Sequence, residues 1–113
     1  MLIEHRTYTL KPGTIAQFVD FFEHHDLPFI VPIMGHPVGW YTTEIGPLNR
    51  VIQIWAFADF EDRDRRRAEV AAHQCWANHL ATLEPLVVSQ SSMLLRPAPF
   101  FARHLAEQRL TRE

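Results

Sequence analysis

Cysteine is nearly missing from this chain: Cys75 is the only one in 113 residues. One thiol can form neither an internal disulfide nor a four-cysteine zinc site. No apolar run reaches the length a membrane-spanning helix needs. Neither charge sign is in clear excess, with a formal net charge of -2, so nothing points to nucleic acid or an anionic membrane as partner. A glycine-rich phosphate loop, a nucleophile elbow and a His-Glu zinc motif are all absent. The opening MLIEHRTYTL lacks the basic-then-apolar layout of a secretory leader. A single domain in a reducing cytoplasm, with no bound cofactor or metal, is the expectation.

What is present is alternation and helical periodicity in a recognisable order. Leu2 to Leu10 alternates, and Lys11-Pro12-Gly13 punctuates it, which predicts a strand and a turn. Thr14 can cap a helix whose apolar stripe is Ile15, Phe18, Val19 and Phe22. Pro28 and Pro32 interrupt that pattern. The stretch Gly39 to Asp62 reads as two strands joined by a tight turn at Ile45 to Asn49, then a helix start at Asp59 or Glu61. The helical region ending before Pro85 is either one bent helix or two short ones meeting near His73-Gln74. Leu86 to Arg96 is a fourth strand.

The order is β-α-β-β-α-β, a ferredoxin-like α+β fold with a four-stranded antiparallel sheet. Strands one and three should be central neighbours, with strand two beside strand three. Helices cover one sheet face. The other is too apolar to stay in water, so a homodimer through the open face is expected, enclosing a barrel-like interior.

Three segments carry a family resemblance: EHRTYTLKPG from Glu4, VGWYTTEIGPLNRVIQIWAFADFEDRDRRRA from Val38, and PLVVSQSSMLLRPAPF from Pro85. Together they resemble the NIPSNAP family, within the dimeric α+β barrel superfamily. The resemblance spans residues 1–100 and leaves 101–113 as a C-terminal tail. It implies the fold and dimerisation, and little chemistry. Superfamily analogy adds a reaction class, cofactor-independent oxygenation or isomerisation of an aromatic substrate. Superfamily haem degraders pair a helix histidine with an asparagine on the first strand, where this chain has Glu4, Arg6 and Tyr8.

The candidate ligand-binding set is Arg6, Tyr8, Trp40, Thr42, Glu44, Gln53 and Trp55. Side chains two apart in a strand share a face, and such a face would offer aromatic walls, a cation, an anion and hydrogen-bonding groups. In this scheme the more apolar set, Ile3, Thr7, Ile52, Ile54 and Ala56, packs under the helices, and Arg6, Tyr8, Gln53 and Trp55 face the barrel interior. The alternative is a non-catalytic interaction module with a packed interior. His24 and His25 are adjacent, so they point about 100° apart and make a poor metal pair. His73, Trp76 and His79 share a helical face and read as packing. Arg63, Arg65, Arg66 and Arg67, interleaved with acids, read as a solvated face with weak pairs.

Overall fold

A computed structural model describes the backbone of residues 1–112 and the side chains of residues 1–108. Its elements run β1 (Leu2–Leu10), α1 (Ile15–Phe21), a π-helical turn (Phe22–Asp26), α2 (Leu27–Met34), β2 (Gly39–Thr42), β3 (Arg50–Phe57), α3 (Phe60–Ala72), α4 (Trp76–Leu83), a 3₁₀ turn (Glu84–Leu86), β4 (Val87–Leu95) and α5 (Pro99–Arg112). The stretch read as a tail is thus helical as far as Arg112, and Glu113 lies outside the described residues.

The four strands form one antiparallel sheet in the order β2-β3-β1-β4. Strands one and three are central, as the pattern requires. The helical region before Pro85 is two helices: His73 leaves the helical range at ψ 144 and ends α3. Strand two is shorter than its alternation suggests. It stops at Thr42, and residues 43–49 form a surface loop. Asn49 closes that loop in the left-handed region at φ 62, a conformation asparagine adopts more readily than most residues.

Helix starts follow local chemistry. Asp59 caps α3, its carboxylate accepting from Asp62 N at 2.7 Å. Thr14 sits at the start of α1, yet its hydroxyl donates backwards to Lys11 O at 2.6 Å. The hydroxyl therefore holds the turn and caps nothing. The prolines do not break the helical path between α1 and α2. Pro28 has no N–H for the carbonyl four residues back, and the π-helical turn lies immediately before it. Such wide turns re-aim the side chains they carry; here Asp26 is fully buried.

The sheet faces are inverted relative to the sequence reading. Cross-strand pairing puts Glu4 opposite Trp55, Arg6 opposite Gln53 and Tyr8 opposite Val51. This face lies under the helices: Leu10, Val51, Trp55 and Phe57 join Phe18, Phe22, Phe29, Ile30, Met34, Val70 and Leu83 in one buried cluster. Ile3, Thr7, Ile52, Ile54 and Ala56 belong to the other face, with Tyr41 and Met93, which are 57% and 53% exposed. Apolar content misleads because the helix-facing set carries a carboxylate that arginines on α3 neutralise. Sorting the strands by polarity alone cannot register that pairing.

Candidate functional site

Glu4 is fully buried near the start of β1. Arg63 reaches it from α3 with two donors to one oxygen, Nε at 3.0 Å and Nη2 at 2.6 Å. Arg67 Nη2 donates to the other oxygen. Ser92 Oγ at 3.2 Å and Arg6 Nη1 at 3.5 Å complete the shell. Burial works against the carboxylate, but the Arg67 charge and the hydrogen bonds from Arg63 and Arg67 outweigh it and hold Glu4 below the ordinary carboxylate range. Two of the α3 arginines read as surface charges are thus interior partners of strand β1. Arg65 and Arg66 do pair with Asp62 on the same helix, at 2.5 and 2.8 Å.

Arg63 is also matched by Asp64 at 3.1 Å. The surplus positive charge therefore rests on Arg6 and Arg67. Burial pushes Arg67 down, and the neighbouring Arg6 charge pushes it further the same way. Its Nε is buried without a hydrogen-bond partner among the described residues. An unmatched buried donor on a destabilised cation is a feature an anion would satisfy. Arg6 Nε donates to Tyr8 Oη at 2.7 Å, so the Tyr8 proton is free to be donated elsewhere.

Arg6, Tyr8 and Arg67 border a cavity of about 370 Å³ between the sheet and the helices. Gln53, Trp55, Phe18, Phe22, Trp76 and His79 also line it. Gln53 Oε1 accepts from Trp55 Nε1 at 3.1 Å, which fixes both side chains. A pocket of this size, its wall shared between aromatic and polar side chains, falls in the range of a small-molecule site.

Four of the seven candidate residues, Arg6, Tyr8, Gln53 and Trp55, therefore surround one cavity. It lies on the helix side of the sheet, whereas the expectation put it on the open side. Trp40 borders a separate cavity of about 310 Å³ with Phe22, Leu27 and Pro37. Thr42 and Glu44 are exposed and line neither. Glu44 is displaced because β2 ends two residues before it.

On the helices, Trp76 and His79, which helical spacing reads as packing residues, line the same cavity. One Asp26 oxygen lies 2.8 Å from His25 Nδ1 and the other lies 2.5 Å from His79 Nδ1, both at hydrogen-bonding distance. Trp76 stacks on the His79 ring, with centroids 4.4 Å apart and planes at 11°. His24 points to solvent, where the Asp20 carbonyl, Glu23 and the Asp20 carboxylate raise its pKa. His73 stacks on Phe29 and its Nδ1 accepts from Cys75 N, which is a structural role. Among the described residues, no group of three or more His, Cys, Asp or Glu is placed to hold a metal, and no helix is long and apolar enough to cross a membrane.

A sequence profile of the NIPSNAP family matches residues 3–102. A NipSnap homologue from Dictyostelium discoideum is 32% identical over 98 residues, which is 83% of this chain and 41% of that protein. The chain spans less than half the length of the curated relatives it matches. A crystal structure from Agrobacterium tumefaciens is 34% identical with a TM-score of 0.85, covering 88% of this chain and 96% of the other. A putative antibiotic biosynthesis monooxygenase from Nitrosomonas europaea superposes with a TM-score of 0.64 at 9% identity, covering 86% of this chain and 98% of the other. At that identity the likeness is one of fold. The chain belongs to the NIPSNAP family.

Proposed function

We propose that this chain forms a homodimer in which each protomer binds an aromatic organic anion between its sheet and helices. The chemistry we assign to the site is cofactor-independent, of the isomerase or monooxygenase kind. The observation that carries the reading is that Arg6, Arg67 and Tyr8 line one cavity together with aromatic side chains. Preorganised positive charge and a phenol donor suit a carboxylate or a developing enolate oxygen. Trp55, Trp76, Phe18 and Phe22 suit a flat apolar body. The dimer follows from the exposed Tyr41, Met93 and Leu95 on the sheet face away from the helices.

The test is equilibrium titration with a panel of aromatic carboxylates and their amides, read by tryptophan fluorescence. The carboxylates should bind at least about tenfold more tightly than the amides, the margin expected of a charge-assisted contact. Arg67→Gln should remove that preference while the protein stays folded by circular dichroism. Equal affinity for acids and amides, or no binding at millimolar ligand, would overturn the reading.

A further inference from the structure

We infer that His79 is a proton-transfer base whose tautomer is set by Asp26, acting on an aromatic carbon acid that carries a ketone beside its carboxylate. The inference rests on the reading of the cavity as an organic-anion site and adds the group that acts on the ligand.

Asp26 lies in the π-helical turn and His79 lies 53 positions later on α4. Asp26 is fully buried, and each of its oxygens receives one histidine Nδ1. An ionised carboxylate only accepts hydrogen bonds, so both Nδ1 atoms carry protons. His25 shows the consequence. Its Nε2 lies 3.1 Å from Asn78 Nδ2, which donates to the remaining lone pair. His79 Nε2 has no hydrogen-bond partner among the described residues, and its ring borders the cavity. A histidine whose distal nitrogen is protonated and held by a buried carboxylate presents a lone pair at the other nitrogen. Stacking on Trp76 fixes the plane of the ring.

The remaining cavity groups complete a proton transfer. Arg67, which lines the cavity, is the cation that pairs with the ligand carboxylate. His79 Nε2 removes a proton from the carbon between the aromatic ring and the ketone. The C–H electron pair becomes a carbon–carbon double bond, and the carbonyl pair moves onto oxygen. Arg6 and the Tyr8 hydroxyl meet that developing charge. Return of the proton from His79 to carbon regenerates the ketone; delivery of the Tyr8 proton to oxygen gives the enol, and the imidazolium proton then passes through solvent to the phenolate, restoring both side chains. No electrons leave the ligand, so the step consumes no oxidant.

Phenylpyruvate is the probe, with exchange of its methylene protons followed by proton NMR in D2O and its binding by fluorescence. The native protein should accelerate exchange above the buffer rate. His79→Gln should bind phenylpyruvate within about threefold of native while exchange falls at least about a hundredfold, the usual scale for a lost general base. Asp26→Asn should retain binding, lose exchange and show a changed His79 tautomer by nitrogen-15 NMR. Binding without accelerated exchange, or native-rate exchange in His79→Gln, would overturn this inference alone. Absence of binding would overturn the anion-site reading beneath it.

Should His79→Gln not fold, the native protein decides. His79 must carry its proton on Nδ1 at neutral pH. The charged and titratable groups that share the cavity with it are Arg6 and Tyr8 from β1, Arg67 from α3, and Glu84 just past its own helix, with Asp26 against its Nδ1 and His25 on the far oxygen of Asp26. A proton on Nε2 there overturns the assignment.

Discussion

Arg63 grips Glu4 through two donors on a single carboxylate oxygen, at 3.0 and 2.6 Å, across 59 positions of sequence. This joint, with Arg67 beside it, fastens α3 to the central strand. It is buried on the Glu4 side and part-exposed on the arginine side. Removing the carboxylate would leave cations facing one another with no anion between them.

Glu4→Ala is therefore expected to destabilise the fold by about 3–5 kcal/mol, the range for breaking a buried ion pair from one side. Urea unfolding measures it. Glu4→Gln keeps the shape and should lose less. The acid dependence has a definite sign. The folded pKa of Glu4 is depressed, so its contribution is fully present above the ordinary glutamate value and is lost as pH falls through the folded value. In Glu4→Gln that part of the acid-side loss should vanish; an unchanged acid profile would refute the role given to this joint.

A second acid-sensitive point is the start of α3. Asp62 accepts from Ala58 N at 2.9 Å and from Arg66 and Arg65. The Ala58 bond leads, followed by the Arg66 bond, in holding its pKa at about 2. Its support is thus complete above the ordinary aspartate value and fades only as pH falls toward 2. Asp59→Ala should cost about 1 kcal/mol at neutral pH, as loss of a capping side chain does. Thermal melts should show the Asp59→Ala loss.

The two sheet faces should separate assembly from internal packing. Tyr41 and Ile54 lie on the face turned away from the helices, and Trp55 is buried beneath them. Sedimentation at micromolar concentration should give a mass near twice 13.2 kDa. Tyr41→Asp and Ile54→Asp should halve that mass and leave phenylpyruvate titration measurable. Trp55→Ala should cost about 3–5 kcal/mol in each protomer through the cavity it opens. A native protein that sediments as a folded monomer would sink the dimer proposal.

The β2–β3 loop should matter for stability alone. Gly46 sits at φ +129, a conformation that strains any residue with a Cβ, although the nearest atom to an added Cβ is Thr43 Cγ2 at 3.7 Å. Backbone strain, with no steric clash, is therefore the expected fault in Gly46→Val, at a cost of order 1–3 kcal/mol. The melting temperature should fall while ligand affinity stays the same. Lost affinity at an unchanged melting temperature would instead give the loop a binding role.

The chain's own text was enough for the strand order, and it narrowed the start of the third helix to Asp59 or Glu61. Period-two and helical spacing are local, and the few ways of joining such elements do the rest. It also brought Arg6, Tyr8, Gln53 and Trp55 to one face, because alternation and pairing register put them there. Which side that face would take was decided by tertiary structure. Glu4 can be buried under α3 only because Arg63 and Arg67 fold back onto it, and no hydropathy count of β1 contains those arginines. The Asp26–His79 pair is a similar case. A π-helical turn buries Asp26, and a break after Ala72 sets α4 so that His79 meets it. Helical spacing marks His79 only as a packing residue beside Trp76, and nothing in either segment ties it to Asp26. They become a pair through the packing of two helices, and a one-dimensional pattern holds no distance between them.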